Sequence, residues 1–240
     1  MTKPVIGDRC TIGHYTHIED DVVIGDDVTI ESYCHIGYPT PRAAGEKLVI
    51  GADSLIRSHS VLYQGSTLGR GTQTGHHVTV REHTVAGDGW HLGTLCDIQG
   101  EVKIGKYVHM HSNVHVGQKA VIGDFVWIFP YTVLTNDPHP PSEGFLDGVT
   151  VEDYAVIATM CCILPGVRVG TRSLVGAQSL VSNDVPPDTV VAGVPAKERG
   201  PTSRVKLRDA TSAPAYPWMR HFHRGYPPDV VADWKATYGV

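Results

Sequence analysis

Two pairs of acidic and basic side chains stand eighteen positions apart in the middle of the chain. Asp97 is followed by His115 at this spacing, and His83 is followed by Glu101. A carboxylate beside an imidazole suits general acid–base catalysis, because one group can orient or receive the proton that the other moves. The spacing brings such residues together only if eighteen residues return the chain to the same place, which requires a repeating fold.

An aliphatic residue returns at every sixth position along most of the chain. The series begins with Ile6, Ile12, Ile18, Ile24, Ile30 and Ile36, and it resumes over 50–134 and 151–181. This period fits neither a helix nor a plain strand. It is typical of the hexapeptide β-helix, in which three hexapeptides make one triangular coil. We therefore predict an all-β fold: a left-handed parallel β-helix of about nine coils, about 43 Å tall, with residues eighteen apart as vertical neighbours.

Other positions of the hexapeptide have their own preferences. Four places beyond the aliphatic lies a small inward slot, which four of the five cysteines occupy: Cys10, Cys34, Cys96 and Cys161. We interpret these thiols as core residues. Glycine often follows the aliphatic, as at Gly51, and we expect a sharp corner to need its conformational freedom. Trp90 falls in an inward slot that is narrow for an indole, so we expect its turn to depart from ideal geometry.

The repeat is interrupted twice, and each interruption predicts an extruded loop. About eight residues are extra within 38–47 and about eleven within 136–147, and both segments are rich in proline, glycine and polar residues. Both loops should leave the same face of the prism and frame a groove about 24 Å long. Loops on a rigid scaffold are where binding groups collect.

Composition and termini restrict the class of protein. The 240 residues carry a formal net charge of −5, which argues against a nucleic-acid partner. No apolar run approaches the length of a membrane span and no leader precedes the repeat, so we expect a soluble, cytoplasmic protein. We divide the chain into a β-helix domain over 1–197 and a tail over 198–240, where Pro227 and Pro228 are expected to begin a short helix.

Fourteen histidines raise the question of a metal centre. The hexapeptide-repeat carbonic anhydrases hold zinc with three histidines, two of them five residues apart. No two histidines of this chain have that spacing. We therefore predict no metal site.

Several motifs resemble those of hexapeptide acyltransferases. They are T-N-D at 135–137, I-L-P-G-V at 163–167 and G-V-P-A-K at 193–197. Segments 96–100, 111–118 and 127–131 look most like the branch that acylates the amino group of dTDP-4-amino-4,6-dideoxyglucose. The resemblance covers about residues 1–200 and implies a homotrimer with active sites between subunits. It implies no permanently bound cofactor, with acetyl-CoA or a 3-hydroxyacyl-CoA as co-substrate.

The resemblance also implies where the ligands lie. Acyl-CoA would run along the C-terminal coils, beside backbone and basic residues: Ala158, Gly176, Ala177, Lys197 and Arg199. The nucleotide-linked sugar would occupy the groove nearer the first loop. Its diphosphate would meet arginines, and its sugar would meet polar residues: Arg42, Arg57, Arg81, Asn113, His115, Asn136 and Asp137.

One departure from related enzymes affects the mechanism. The sialic-acid and lipid A acyltransferases carry a catalytic His-Asp pair where this chain has Ser112 and Asn113. Without that histidine, we predict that Asp97 binds and orients the amine. Asp97 or Glu101, helped by His83, would take the proton, or the departing CoA thiolate would receive it.

Three functions follow from these observations. The leading hypothesis is an acyl-CoA-dependent N-acyltransferase acting on a nucleotide-linked amino-dideoxy sugar. Release of the CoA thiol in the presence of such a sugar would test it. The alternatives are a sugar or xenobiotic O-acetyltransferase of the same fold and a non-catalytic trimeric scaffold.

Overall fold

The three-sided prism is confirmed by a computed structural model, which describes residues 3–142, 144–223 and 225–239. Its short strands stack into three parallel sheets, and the chain visits each sheet in turn, so every third strand is a hydrogen-bonded neighbour. The step between neighbours is eighteen residues, as in Val85 opposite Lys103 and Lys103 opposite Val121. The fold is a left-handed parallel β-helix, with nine coils represented on every face.

The three sheets are named faces A, B and C. Face A consists of β1 (Val5–Ile6), β4 (Val22–Ile24), β7 (Leu48–Ile50), β10 (Thr67–Leu68), β13 (Val85–Ala86), β16 (Lys103–Ile104), β19 (Val121–Ile122), β22 (Thr150–Val151) and β25 (Arg168–Val169). Face B consists of β2 (Thr11–Ile12), β5 (Thr29–Ile30), β8 (Leu55–Ile56), β11 (Gln73–Thr74), β14 (His91–Leu92), β17 (His109–Met110), β20 (Trp127–Ile128), β23 (Val156–Ile157), β26 (Leu174–Val175), β28 (Thr189–Gly193) and β29 (Ala196–Pro201). Face C consists of β3 (His17–Ile18), β6 (His35–Tyr38), β9 (Val61–Tyr63), β12 (Thr79–Val80), β15 (Asp97–Ile98), β18 (His115–Val116), β21 (Val133–Leu134), β24 (Cys162–Ile163) and β27 (Leu180–Val181).

The core is the narrow axis of the prism. Its aliphatic residues are almost fully buried from the second coil onward, and several of the serine, threonine and cysteine side chains in the small slots donate to backbone carbonyls. Ser66 Oγ donates to the carbonyl of Arg81 at 2.9 Å and accepts from the N–H of Thr84 at 3.1 Å. Cys96 is a buried free thiol, and burial raises its pKa to about 11. Cys34, Cys96 and Cys161 are therefore core residues, as predicted, whereas Cys10 is only partly buried against the core.

The glycine after the aliphatic has a different role from the one expected. Gly51 lies outside the left-handed region, which the chain instead enters two residues later at Asp53, with φ 58°. A Cβ on Gly51 would lie 2.5 Å from the backbone nitrogen of Arg70 in the next coil. The expectation of conformational freedom was wrong, because this position requires glycine for the close approach of two coils.

We expect Gly51→Ala to lower the free energy of unfolding by about 2 to 3 kcal/mol, because the clash is with backbone that cannot move aside. Gly45→Ala is the matched control. Gly45 has φ 78° and no atom within 4 Å of an added Cβ, so it bears only the left-handed strain of about 1 kcal/mol. Urea unfolding measures the free energy of unfolding of both variants. A larger loss of that free energy in Gly45→Ala than in Gly51→Ala would contradict this account.

Trp90 does not distort its coil. It is fully buried, and the N–H of Gln73 donates to its carbonyl at the ordinary distance of 2.8 Å. Face A of the same coil carries Ala86, where the adjacent coils carry Leu68 and Ile104. The expected departure from ideal geometry was wrong, because a smaller neighbour in the core supplies the volume that the indole fills.

Both loops leave from face C, as predicted. The first follows β6 and contains a short 3₁₀ helix at Pro41–Ala43, and the second follows β21. Glu143 of the second loop lies outside the described residues, as do Arg224 and Val240 of the tail.

The C-terminal tail packs against the outside of face B. Before it, β28 and β29 form an antiparallel hairpin that continues the sheet of face B, and the boundary drawn after residue 197 falls inside β29. Two 3₁₀ helices (Thr202–Arg204 and Trp218–Arg220) precede the helix α1 (Pro228–Tyr238), which begins where the prolines predicted. The tail and the outer surface of the prism share one apolar cluster: Phe125, Val156, Trp218, Met219, Tyr226 and Trp234. No helix among the described residues is long and apolar enough to cross a membrane.

Candidate functional site

His115 and Asp97 meet on the outer surface of face C, between the levels of the two loops. They are register partners on β18 and β15, and His115 Nδ1 lies 3.1 Å from Asp97 Oδ2. Each side chain is about two fifths exposed, at 40% and 39%. A carboxylate at Nδ1 favours the tautomer that carries its proton there, which leaves Nε2 free to accept a proton. The pair can therefore act as a histidine base oriented by an aspartate.

Gln99 is a further member of this site that the sequence did not single out. Its Nε2 donates to Asp97 Oδ2 at 2.6 Å. The hydrogen bond from His115, with the second bond from Gln99, holds the pKa of Asp97 below its ordinary value despite partial burial. Asp97 is thus ionised near neutral pH and is a weak base. These contacts favour Asp97 as the group that orients His115, and they disfavour its role as proton acceptor.

A buried carboxylate connects this site to the first loop. Glu82 is only 1% exposed, and Arg81 binds both of its oxygens, with Nη2 3.0 Å from Oε1 and Nε 3.2 Å from Oε2. Arg42 of the first loop approaches the same carboxylate at 3.7 Å. Arg81 Nη1 also donates to Gln99 Oε1 at 3.4 Å, which links the cluster to Asp97. Two guanidinium groups share one carboxylate, so the cluster keeps one excess positive charge.

His83 contacts a different carboxylate from the one predicted. Its Nε2 lies 3.0 Å from Glu46 Oε1, because the first loop folds back over the corner after face C and brings Glu46 there. Glu101 is exposed, and no side-chain partner for it occurs within 3–142, 144–223 or 225–239. The expected hydrogen bond between His83 and Glu101 is therefore replaced by one between His83 and the loop.

The second loop is held by its own aspartate. Asp137 Oδ1 accepts from the N–H of His139 and Oδ2 from that of Ser142, each at 3.0 Å, and the Ser142 hydroxyl also donates to Oδ1. These bonds lower the pKa of Asp137, the bond from the Ser142 hydroxyl most of all. Asn136 lies over Gly117, just beyond β18. Asn136 therefore lies at the corner that follows β18, whereas the Asp137 carboxylate is occupied by the loop.

The three arginines expected at one diphosphate are divided between two corners of the prism. Arg42 and Arg81 share Glu82 at the corner after face C. Arg57 follows β8 of face B, where its Nη1 lies 3.4 Å from Glu31 Oε1. Asn113 lies at that same corner, between faces B and C, with φ 60°.

The residues expected along CoA lie in the last coils, but part of their backbone is already bonded. The N–H of Ala158 donates to Val175 and that of Gly176 donates to Val191, both within the coils. Ala177 and Lys197 are exposed. Arg199 is exposed too, although its Nη2 donates to the carbonyl of Ala192 at 3.2 Å.

Three other histidines near His115 in sequence are poor candidates for a base. His109 stacks on Trp127 with ring centroids 4.2 Å apart, and burial lowers its pKa to about 3. Burial also lowers the pKa of His91 and of His111. A neutral imidazole with such a low pKa holds an accepted proton weakly. His115, by contrast, is 40% exposed and hydrogen-bonded to Asp97.

Asp97→Asn should change how stability depends on pH. The pKa of Asp97 is lower in the folded chain than in the unfolded one, so its contribution is present above the unfolded pKa of about 3.9 and is lost as pH falls through the folded pKa. Above pH 5 we expect the free energy of unfolding of the wild type to be higher than that of the variant by at most about 1 kcal/mol. The difference is small because the side chains of Asp97 and His115 are both partly exposed to solvent. Urea unfolding at a series of pH values measures this difference, and a gap that widens toward acid would contradict the assignment.

The comparisons with known proteins agree with the repeat and the fold. A family model described as bacterial transferase hexapeptide (six repeats) matches residues 3–38. The chain is 27% identical over 196 residues to the acyl-[acyl-carrier-protein]–UDP-N-acetylglucosamine O-acyltransferase of Campylobacter concisus (strain 13826), covering 79% of this chain and 66% of the relative. It is 31% identical over 112 residues to the galactoside O-acetyltransferase of Escherichia coli (strain K12), covering 38% and 55%. The chain thus spans less than two thirds of the length of these curated relatives.

A solved structure extends the likeness along most of the prism. The UDP-N-acetylglucosamine acyltransferase of Arabidopsis matches with a TM-score of 0.60 over 82% of this chain and 70% of that chain, at 19% identity. At this identity the likeness concerns the fold. The six-residue repeat and the three-faced prism are those of a left-handed β-helix, and the chain is similar to the hexapeptide-repeat acyltransferases.

Proposed function

We propose that this chain is an acyl-CoA-dependent N-acyltransferase acting on the amino group of a nucleotide-linked amino-dideoxy sugar, with His115 as its general base. The observation that carries the proposal is the contact between His115 and Asp97 on the loop-bearing face. This assignment moves the base from the carboxylates expected from the sequence to the histidine. Asp97 becomes the residue that positions it.

The reaction needs a base because an amine is largely protonated near neutral pH. Only the neutral amine can attack the thioester carbonyl, and the tetrahedral intermediate must then release its second proton as CoA leaves. Nε2 of His115 is the ring nitrogen that does not face Asp97. It is available to accept a proton from the attacking nitrogen as the C–N bond forms, while Asp97 stabilises the imidazolium. The imidazolium then returns that proton to the CoA sulfur as the C–S bond breaks, which gives the amide and free CoA.

The cluster of Arg42, Arg81 and Glu82 supports an anionic substrate beside the first loop. Its excess positive charge suits a diphosphate, and guanidinium groups match phosphate oxygens in pairs. An aromatic surface adjoins it, since the Tyr38 and Tyr63 rings lie 4.9 Å apart and Arg81 lies over Tyr63. An exposed tyrosine ring such as Tyr38 can stack on a nucleobase. The nucleotide would thus lie near the first loop and the amino sugar would point along face C toward His115.

The acyl donor and the assembly follow from the superfamily likeness. In this proposal acyl-CoA approaches from the C-terminal coils, where Ala177, Lys197 and Arg199 are exposed. A homotrimer would place a neighbouring subunit across each open face C and close the groove. No permanently bound cofactor is required for the acyl transfer.

His115→Ala should lower kcat/KM for acyl transfer at least about 100-fold, because general base catalysis contributes that much or more. Thiol release from acetyl-CoA and 3-hydroxybutyryl-CoA, with dTDP- or UDP-linked amino sugars as acceptors, measures the rate. His14→Ala is the matched control, since His14 is an exposed histidine of the first coil and should leave the rate unchanged. Full activity of His115→Ala would contradict the assignment of His115 as the general base. Absence of thiol release with every amino sugar would overturn the proposed function.

Arg42→Ala should raise the KM for the nucleotide-linked sugar about tenfold, equivalent to about 1.4 kcal/mol, with little change in kcat or in the KM for acyl-CoA. The reason is loss of the excess positive charge beside the first loop. Arg57→Ala serves as the control because Arg57 lies at a different corner and pairs with Glu31. Steady-state kinetics separate the two variants, and a larger effect from Arg57→Ala would contradict this placement of the diphosphate.

The histidine base also favours a second candidate, an O-acyltransferase acting on a sugar hydroxyl. A hydroxyl is a weaker nucleophile than a neutral amine and depends more on a base, and both curated relatives compared above are O-acyltransferases by name. The same assay with matched amino and hydroxyl sugars distinguishes the candidates. Faster acylation of the hydroxyl sugar, with an ester product by mass spectrometry, would select the second.

A further inference from the structure

Three potential metal ligands meet on face C at the N-terminal end of the prism, three to four coils away from the level of Asp97. His17 and His35 are register partners on β3 and β6, and Glu19 directly follows β3. Glu19 Oε1 lies 3.1 Å from His17 Nε2 and 2.8 Å from His35 Nε2. One ligand atom from each residue lies within 4.8 Å of the other two.

This set of donors suits a divalent transition metal. Zinc binds imidazole nitrogen and carboxylate oxygen at about 2.0 to 2.2 Å, so ligand atoms around it lie about 3.3 Å apart. The two distances from Glu19 are already close to that value. Two histidines and one carboxylate leave a coordination position for water. The two imidazole nitrogens lie within 4.8 Å of each other, and side-chain rotation would bring them to the spacing of about 3.3 Å that the ion requires.

The location gives such an ion a structural role. The first coil is the open end of the prism, where Ile6 and Ile12 remain 44% and 38% exposed, whereas Ile24 and Ile30 of the next coil are buried. The first coil therefore gains little from hydrophobic burial. A metal held by His17 and Glu19 of the first coil and His35 of the second would join the two coils where the core is weakest.

We infer that His17, Glu19 and His35 form a binding site for one divalent metal ion of the zinc class, which fastens the first coil to the second. The absence of histidines five residues apart does not bear on this site. Its histidines are eighteen apart and converge because the coil repeats at that distance. The site is separate from His115 and Asp97, so it neither supports nor depends on the proposed acyl transfer.

Cobalt and zinc titrations test the inference on the full chain, with any affinity tag removed and the protein dialysed against a chelator. CoCl₂ should produce visible d–d absorption that saturates at one equivalent per chain and is displaced by ZnCl₂. Zinc should also raise the melting temperature and slow hydrogen exchange in residues 5–18. His17→Ala, Glu19→Gln and His35→Ala should each weaken cobalt binding at least about tenfold.

His76→Ala is the matched control, because His76 is another exposed histidine near a glutamate, with Nδ1 3.8 Å from Glu31, and belongs to no such triad among the described residues. It should bind cobalt as the wild type does, and circular dichroism should show that all four variants are folded. No saturable cobalt spectrum in the wild type would overturn the site. A spectrum that survives in all three triad variants would also overturn it, because the metal would then bind elsewhere.

Discussion

The in-register hydrogen bonding of each coil to the next is the constraint on which the whole structure depends. The N–H of Asp97 donates to the carbonyl of Val114, and that of His115 donates to Thr132, one coil further on. Such bonds fix the step at eighteen residues wherever no loop intervenes. They also bring successive backbones so close at each corner that residues such as Gly51 cannot carry a side chain. The core sequence, the corner glycines and the columns of outward side chains all follow from this one spacing.

The same constraint explains why the candidate active site is built from pairs of adjacent coils. His115 receives its carboxylate from β15, one coil earlier, and that carboxylate receives a second bond from Gln99 on its own coil. The scaffold cannot bend a strand to adjust these contacts, so it relies on loops for groups that the columns do not supply. The first loop provides Arg42 and Glu46 in this way. The stacked strands therefore fix the positions of Asp97 and His115, whereas the first loop supplies further polar groups around them.

The fold and the contact between Asp97 and His115 could be predicted from the sequence because both depend only on the period. Gln99 could also have been found, since it stands two residues after Asp97, directly beyond the end of β15, and side chains two apart along an extended chain project to the same side. Glu46 could not, because its approach to His83 depends on how an aperiodic loop folds back. Glu82 gave no signal either, as its burial results from the arginines that surround it. Trp90 was misjudged because the volume of a slot depends on Ala86, which lies on another face.

The aromatic tail closes the outside of face B over the C-terminal coils, where Trp218 and Trp234 pack against the prism. The open surface there is thereby reduced to faces A and C, and face C carries both loops. Along that surface every contact point is repeated at intervals of about 4.8 Å, the rise of one coil. The outward side chains on this surface therefore lie in rows with a fixed spacing. A substrate longer or shorter by one such interval would meet a different row of side chains, so changes in ligand length can be matched by moving a loop from one coil to the next.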